Sequence, residues 1–372
     1  MTALQGVWKR VVASKVIVGM SGGVDSSVTA LILKRQGVQV EGLFMKNWDE
    51  DDGTAYCSAA ADRADALAIC AKLDIPLREV SFSEAYWDEI FEGFLDGLDQ
   101  GLTPNPDVLC NRVIKFGHFS AAARKMGADR IATGHYARLS NTDGLPELRK
   151  ARDKSKDQSY FLHMVPRDEF RHAMFPLGEI EKPDVRRIAK ENGLQVADKR
   201  DSTGLCFIGE RPFRDFLRTY LPARPGAIRS TDDRVLGEHI GLSFYTIGQR
   251  RGLGIGGVRG GEEKPWYVIS KDLDSNTLVV SQDEADLYAP ALMTSTMNWL
   301  CEPPPTSFSC AAKIRYRQAD QACRVIQVDA ETDAWRVEFE RPQRAITPGQ
   351  YAALYDGERC LGGGMIMRSL TS

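Results

Sequence analysis

Val16-Ile-Val-Gly-Met-Ser-Gly-Gly-Val-Asp-Ser-Ser27 is the most informative segment of this 372-residue chain. Its apolar start predicts a buried strand, and Val28, Leu31 and Ile32, at helical spacing, predict a helix immediately after it. The glycines between them let the backbone turn sharply and approach a ligand closely. Because the first N–H groups and the dipole of a helix favour an anion, the sequence predicts a phosphate site at this turn.

The details of the turn distinguish between classes of phosphate site. No lysine follows the glycines, as a Walker loop requires, and the glycine spacing does not fit GxGxxG. The motif SGGVDSS, residues 21–27, instead resembles the PP-loop of the ATP pyrophosphatase superfamily. That resemblance implies cleavage of ATP between its α- and β-phosphates and adenylation of a carbonyl oxygen. The alternative is an ordinary strand–turn–helix junction capped by Asp or Ser.

Strand and helix patterns alternate over roughly the first 200 residues. Strands are predicted at residues 16–19, 40–45, 77–80 and 128–133, and helices at 26–36, 59–73, 86–97, 113–126 and 183–192. This alternation predicts an α/β fold with a doubly wound parallel sheet. Ligands bind such sheets at the carboxyl ends of the strands. The glycine loop, Met45-Lys46-Asn47 and Gly134-His135 should therefore converge on one crevice.

The second half of the chain has a different pattern. Residues 211–280 are rich in Gly and Arg, and residues 285–372 contain short apolar runs separated by Pro, Gly and Asp. Short strands with regular turns are typical of a small β-barrel. We therefore predict three domains: a PP-loop catalytic domain at 1–210, a central domain at 211–281 and a C-terminal β-barrel at 282–372.

Composition excludes several classes of protein. No run of eighteen apolar residues and no signal-peptide pattern occurs, so we expect a cytoplasmic protein without a membrane partner. The eight cysteines form no CxxC pair, which argues against a zinc ribbon, an iron–sulfur cluster and a secreted disulfide framework. We predict no protein-bound metal site. The net charge of −3 means that a nucleic-acid partner would have to bind local basic clusters.

Two cysteines stand out by their surroundings. Cys110 follows Asp107 by three residues at a predicted helix start, where the helix dipole favours a thiolate. Cys206 lies in a long polar loop between candidate domains. A buried, inert thiol is the alternative for each cysteine. Together with an ATP site, the two thiols indicate adenylation followed by sulfur transfer.

At these motifs the chain resembles the bacterial tRNA-specific 2-thiouridylase family over essentially its whole length. The segments that carry the resemblance are GMSGGVDSS (19–27), GLFMKNWDEDD (42–52), TPNPDVLCNRVIKF (103–116), ATGHYAR (132–138), KDQSYFL (156–162), DSTGLCFIGER (201–211), YTIGQRRGLGIGG (245–257) and KIRYRQ (313–318).

The resemblance implies a role for each matching residue. Implied ATP ligands are Gly19, Met20, Ser21, Gly22, Gly23, Val24, Asp25, Ser26, Met45 and Gly134. Asn105, Pro106 and Asp107 would hold the target base, with Asp107 also catalytic; Cys110 would be the nucleophile and Cys206 the persulfide carrier. Implied tRNA contacts are His135, Lys156, Asp157, Gln158, Arg315, Tyr316 and Gln350.

The same resemblance implies the substrates and partners. They are ATP with Mg²⁺, the tRNAs for Lys, Glu and Gln, whose wobble uridine would be 2-thiolated, and an upstream protein that donates persulfide sulfur. Three alternatives remain at this stage: another PP-loop synthetase or a lysidine-forming ligase, an RNA-binding protein with a relic ATP fold, and a cluster-dependent tRNA thiolase. The first needs no loop cysteines, and the absence of CxxC argues against the last.

Overall fold

The computed structural model describes residues 14–49, 59–201, 213–255 and 264–371. The chain divides into two compact units. Unit 1 comprises residues 1–87 and 107–210, and unit 2 comprises residues 88–106 and 211–372. The three domain limits predicted from sequence stay a prediction.

Unit 1 is built on a parallel sheet. Its strands are β1 (Lys15–Gly19), β2 (Gln39–Lys46), β3 (Leu77–Ser81), β4 (Arg130–Ala132) and, after the hairpin β5 (Ala137–Thr142) and β6 (Leu145–Lys150), β7 (Ala173–Met174). The spatial order is β3-β2-β1-β4-β7. Val16, Ile17 and Val18 are completely buried, as expected for a central parallel strand that is covered on both faces. The predicted α/β class with a parallel sheet is confirmed.

Helices alternate with the strands of unit 1 along the chain. They are α1 (Val24–Arg35), α2 (Ala59–Leu73), α3 (Ser83–Tyr86), α5 (Pro106–Leu109), α6 (Phe119–Lys125), α7 (Ser159–Leu162) and α8 (Lys182–Glu191), whereas α4 (Glu92–Asp99) belongs to unit 2. Between α5 and α6, Cys110–His118 winds as a π-helix, so helical structure begins seven residues before the position predicted from sequence. Pro106 accounts for the earlier start, because proline suits the first helical position.

Unit 2 contains a small sheet and a closed barrel. After α9 (Phe213–Leu217), the small sheet consists of β8 (Gly226–Ser230), β9 (Val235–His239), β10 (Tyr267–Asp272) and β11 (Thr277–Ser281), in the order β10-β11-β8-β9. The barrel strands are β12 (Tyr288–Thr294), β14 (Ser307–Lys313), β15 (Gln321–Asp329), β16 (Ala334–Arg344), β17 (Tyr351–Asp356) and β18 (Arg359–Leu370). The short β13 (Asn298–Trp299) pairs with β18.

Pairing of β12 with both β16 and β18 closes the six-stranded barrel. Its interior is filled by apolar side chains from successive strands, among them Val325, Val337, Leu354 and Ile366. Closure removes the unpaired strand edges that an open sheet would expose. The predicted C-terminal β-barrel is therefore confirmed. Among the described helices, none is long and apolar enough to cross a membrane.

Candidate active site

The loop between β1 and α1 has the form that a phosphate site needs. Gly22 has φ +70, and a Cβ at this position would lie 2.2 Å from the carbonyl oxygen of Asp62, so only glycine fits. Gly23 occupies the N-cap of α1 and supplies no side-chain acceptor. Gly23 therefore gives the first N–H groups of α1 no side-chain cap. These groups can donate to an anion bound at the start of the helix.

Serine hydroxyls hold this loop in shape. Ser26 Oγ accepts from the backbone N–H of Ser21 at 3.2 Å and donates to the carbonyl of Gly23 at 3.1 Å. Ser27 Oγ donates to the same carbonyl at 2.8 Å. These bonds join both ends of the loop, so its backbone geometry does not depend on a bound ligand. Preorganised N–H groups bind phosphate without a large ordering cost.

Gly134 closes the loop from the carboxyl end of β4. A Cβ at Gly134 would lie 2.9 Å from the carbonyl carbon of Asp25 and 3.0 Å from the backbone N of Ser26. Real Cβ contacts of this length are essentially absent from proteins, so a larger residue would displace the start of α1. The structure thus brings Gly134 directly against the glycine loop, as the sequence predicts for two strand ends in one parallel sheet.

An ion network extends from Asp25. Lys182 Nζ contacts both carboxylate oxygens of Asp25 at 2.8 Å and Oδ1 of Asp201 at 2.7 Å, and its side chain is only 8% exposed. The hydroxyl of Tyr136 also donates to Asp25, at 2.8 Å. Asp201 in turn binds Lys156 at 2.7 Å and Arg186 at 2.9 Å. Three cations therefore surround two carboxylates beside the glycine loop.

A second lysine binds the loop itself. Lys199 Nζ donates to the carbonyl oxygen of Gly22 at 3.0 Å and pairs with Asp62 at 2.8 Å and Asp65 at 2.6 Å. Sequence reasoning missed both Lys182 and Lys199 as neighbours of the loop. Lys182 begins α8 and Lys199 follows that helix, so both are distant in sequence from the loop. No local pattern distinguishes them from surface lysines.

The network shifts the ionisation of Asp201. Partial burial raises the pKa of this carboxyl, but hydrogen bonds from Lys156 and Lys182 outweigh it and hold the pKa at about 2, below the usual 3.8. Tyr136 is affected in the opposite sense. Its burial, together with the neighbouring Asp25 charge, raises the pKa of the phenol far above its ordinary value. Tyr136 is therefore a neutral donor to Asp25 at any physiological pH.

The low pKa of Asp201 predicts a pH dependence of stability. In acid the unfolded chain takes up this proton first, at a pKa of about 3.9, so the contribution of Asp201 is complete above that pH and is lost as the pH falls toward about 2. Asp201→Asn should flatten the decline in the free energy of unfolding between about pH 4 and pH 2, measured by urea denaturation. Asp356→Asn, at an exposed position ending β17, is the control. An unchanged slope in Asp201→Asn would contradict this account.

The cysteine predicted as nucleophile lies deep in unit 1. Cys110 has no exposed surface, and it follows the first turn of helix rather than starting it. Because the helix dipole acts mainly within the first turn, its effect on this thiol is weaker than the sequence suggests. Asn111, next to it, donates to the backbone carbonyls of Asp107 at 2.9 Å and Phe161 at 3.3 Å. Cys206 lies outside the described residues.

Comparison with known proteins identifies the family. Residues 14–210 match a tRNA methyl transferase HUP domain, residues 214–282 a tRNA methyl transferase PRC-barrel domain, and residues 290–366 an aminomethyltransferase beta-barrel domain. The tRNA-specific 2-thiouridylase MnmA of Pseudomonas savastanoi pv. phaseolicola is 55% identical over 95% of this chain and 94% of its own length. That of Histophilus somni is 54% identical over 96% and 94%. The chain belongs to the MnmA family.

A solved structure of a 4-thiouridine synthetase–RNA complex with bound ATP is similar only at 17% identity, with a TM-score of 0.36, over 54% of this chain and 46% of that chain. The family assignment therefore depends on the sequence relatives, which cover 95% of this chain or more. Membership of the MnmA family is what the sequence motifs predict, and it is confirmed.

Some residues predicted to contact tRNA in this MnmA family member are buried. His135 is 8% exposed and Asp157 is 6% exposed. Burial, and to a lesser degree Lys115, lower the pKa of His135 well below its usual value, so its ring is neutral. Asp157 accepts from the backbone N–H of Ala151 at 2.9 Å and from Ser159 Oγ at 2.9 Å. Their role toward tRNA stays a prediction.

Other residues predicted to contact tRNA make hydrogen bonds within their own unit. Gln158 Oε1 accepts from the backbone N–H of Tyr136 at 2.9 Å, which fixes the tyrosine that binds Asp25. In the barrel, Arg315 donates to the backbone carbonyl of Arg344, and the guanidinium of Arg317 lies 5.2 Å from the ring centre of Tyr316. Arg315 is exposed and Tyr316 half-buried.

In unit 2 the structure brings two predicted site residues together that are far apart in sequence. Asn105 Nδ2 donates to Gln350 Oε1 at 3.3 Å, and Gln350 Nε2 donates to the carbonyl of Thr103 at 2.7 Å. The sequence predicts the two residues in separate roles, target base and tRNA. Nothing in their local motifs indicates that they are neighbours.

A buried asparagine follows the carboxyl end of β2. Asn47 is 1% exposed, and within the described part of the chain neither its Nδ2 nor its Oδ1 has a hydrogen-bond partner. Asn47 is two residues after Met45, and the methyl group of Met45 lies near Gly19 at the end of β1. A buried carboxamide without partners is rare in proteins, and a parallel sheet binds its ligands at this edge.

Proposed function

We propose that this protein is a tRNA-specific 2-thiouridylase, which uses ATP to replace the 2-oxygen of a tRNA uridine with sulfur. The observation that carries the proposal is 55% identity to an MnmA enzyme over 95% of the chain. The preorganised glycine loop at the start of α1 supports it, because such a loop supplies the phosphate site that ATP activation requires.

The phosphates of ATP would bind at the loop of residues 20–26. Backbone N–H groups at the start of α1 would donate to phosphate oxygens, and Lys182 and Lys199 supply positive charge beside them. We infer that ATP enters as its magnesium complex, since Mg²⁺ is usually held by phosphates and one or two carboxylates. Asp25 is the carboxylate on the loop, and to bind the metal it would have to give up a contact with Lys182. Met45 and the unpartnered amide of Asn47 would face the nucleoside.

The first chemical step would activate the uridine. Its 2-oxygen attacks the α-phosphorus of ATP, a P–O bond to the β-phosphate breaks, and pyrophosphate leaves with the electron pair. The uridine then carries AMP on its 2-oxygen, which turns that oxygen into a good leaving group. Asp107, at the start of α5, would exchange the proton during this step. Unstacking the base from the anticodon loop costs a few kcal/mol, which contacts from Asn105 and Pro106 would offset.

The second step would exchange oxygen for sulfur. The terminal sulfur of a Cys206 persulfide attacks C2, and AMP leaves with the former 2-oxygen. The thiolate of Cys110 then attacks the Cys206 sulfur, the S–S bond to the base breaks, and 2-thiouridine departs. This leaves a Cys110–Cys206 disulfide, which a dithiol reductant must reduce before the next turnover. Alternatively, Cys110 frees hydrosulfide from the persulfide, and hydrosulfide attacks C2. Because Cys110 is fully buried, tRNA binding must uncover its thiol.

The substrates would be the tRNAs for Lys, Glu and Gln, modified at the wobble uridine, and the sulfur would come from an upstream persulfide-donor protein in the cytoplasm. Arg315 and Lys156 would contact phosphates, and Tyr316 a base or the backbone. His135, Asp157, Gln158 and Gln350 complete the proposed tRNA surface.

Mass spectrometry of tRNA tests the proposal. Full-length protein is incubated with ATP, Mg²⁺, a persulfide source, a dithiol reductant and wobble-uridine tRNA, and the nucleosides are then separated. We expect 2-thiouridine at the wobble position, with one pyrophosphate and one AMP released for each sulfur incorporated. A methylated uridine, or ATP turnover without any sulfur in the tRNA, would contradict the proposal.

A further inference from the structure

A chain of hydrogen bonds in unit 2 ends on the side chain predicted to read the target base. The carbonyl of Thr103 accepts from Gln350 Nε2 at 2.7 Å, and Gln350 Oε1 accepts from Asn105 Nδ2 at 3.3 Å. All three residues are half-buried. Gln350 lies in the turn before β17, so the barrel contacts Asn105 directly.

The backbones on either side of this chain are packed tightly. The N–H of Thr103 donates to the carbonyl of Pro348 at 2.9 Å. Gly349 has φ +88, and a Cβ there would lie 2.9 Å from both the backbone N and the carbonyl carbon of Thr103. The turn at residues 347–350 and the segment at residues 103–105 therefore hold each other at a defined separation.

The order of donors and acceptors determines which way each amide faces. A backbone carbonyl can only accept, so the NH₂ group of Gln350 must face Thr103. This turns the oxygen of Gln350 toward Asn105. An amide oxygen also can only accept, so the NH₂ group of Asn105 must face Gln350. Asn105 is left with its oxygen and its second N–H for a ligand, in an orientation fixed by the barrel.

That orientation matters for the choice of base. Uracil presents an N3–H donor beside its O4 acceptor, whereas cytosine presents an N3 acceptor beside its N4 amino donor. If the base is held in one pose, swapping the positions of the Asn105 amide oxygen and nitrogen would make the site favour cytosine instead of uracil. Specificity is a difference between two affinities, and a fixed amide penalises the wrong base with a donor–donor or acceptor–acceptor clash.

We infer that Gln350 is a positioning residue: it fixes the orientation of the Asn105 carboxamide and so gives the enzyme its preference for uracil over cytosine. The inference depends on the proposed function, in which Asn105 holds the target base. It gives Gln350 a role through Asn105, beyond the direct tRNA contact expected from sequence.

Competition between two tRNAs tests the inference. Wild-type, Gln350→Met and Gln350→Glu proteins are given equal amounts of a wobble-uridine tRNA and the same tRNA with wobble cytidine, and thiolated nucleosides are measured by mass spectrometry. We expect Gln350→Met to lower the uridine-over-cytidine ratio of kcat/KM about tenfold. Gln350→Glu loses the bond to the Thr103 carbonyl but keeps an acceptor facing Asn105, and it should retain most of the preference. Gln327→Leu, a half-buried glutamine on β15, is the control.

The outcomes separate the inference from the proposed function. If wild-type protein thiolates neither tRNA, the proposed function fails. If wild-type protein thiolates uridine and Gln350→Met lowers kcat/KM but leaves the ratio unchanged, Gln350 acts only by direct tRNA contact or by folding, and the inference fails. Equal loss of the ratio in Gln350→Met, Gln350→Glu and Gln327→Leu would also overturn it. Calorimetric ATP binding by each variant reports whether unit 1 is intact.

Discussion

Replacing Cys110 by serine should abolish the transfer of sulfur to tRNA, with a loss of at least about 1,000-fold in rate. A serine hydroxyl at neutral pH is too weak a nucleophile to break the S–S bond of a persulfide. The earlier step does not need this thiol. We therefore expect tRNA-dependent exchange of labelled pyrophosphate into ATP to persist in Cys110→Ser, while 2-thiouridine disappears.

The same result is expected for Cys206→Ser, because that residue would carry the sulfur. Cys301→Ser is the matched control, a half-buried barrel cysteine whose Sγ lies 3.6 Å from the carbonyl oxygen of Leu361. Cys57, Cys70, Cys310, Cys323 and Cys360 should likewise be dispensable for thiolation. Full wobble thiolation by either Cys110→Ser or Cys206→Ser would exclude the proposed chemistry, as would loss of thiolation in a folded Cys57→Ala protein.

An experiment that traps the Cys110–Cys206 disulfide requires protein without a second pair of cysteines close enough to form a disulfide. Cys310 and Cys323 lie opposite each other on β14 and β15, with their sulfurs 3.8 Å apart. Oxidation could join them and obscure the result. The trapping experiment should therefore use protein in which both are replaced by serine or alanine.

Replacing Gly134 by alanine should disable ATP binding. The added Cβ would lie 2.9–3.0 Å from backbone atoms of Asp25 and Ser26, and backbone cannot rotate away as a side chain can. The start of α1 would have to shift, which would misplace the N–H groups aimed at phosphate. We expect at least a tenfold loss of ATP affinity by calorimetry, and a loss of about 1–3 kcal/mol in the free energy of unfolding from overpacking.

Gly93→Ala is the control for this substitution. Gly93 lies in α4, and a Cβ there would meet no atom within 4 Å. Alanine at an exposed helical position should leave ATP binding unchanged and raise the free energy of unfolding by about 0.5–1 kcal/mol. ATP binding by Gly134→Ala at wild-type affinity would show that the glycine loop is not the phosphate site.

Much of the fold follows from periodicity in the sequence. The helix predicted at residues 59–73 is observed as α2 (Ala59–Leu73), and the strand predicted at 77–80 is observed as β3 (Leu77–Ser81). The hairpin of β5 and β6 was not predicted, because its polar strand Ala137–Thr142 lacks an apolar run.

The sequence by itself determined the strand–glycine loop–helix unit, the parallel sheet, the barrel and the family. These depend on residues close together in the chain: apolar periodicity selects strand or helix, and glycine permits the backbone of Gly22, whose φ is +70. Long, specific motifs such as TPNPDVLCNRVIKF carry the family resemblance without any tertiary information.

Which charges and amides meet depends on how distant segments of the chain pack. Lys182 binds Asp25 from 157 positions away, and Asn105 meets Gln350 across 245 positions. The tertiary structure also showed that Cys110 and His135 are buried, where sequence suggested a reactive helix end and an RNA contact. The physical reason is that local propensity sets each element, whereas the packing of distant elements sets desolvation and hydrogen-bond partners, and these determine the chemistry of a side chain.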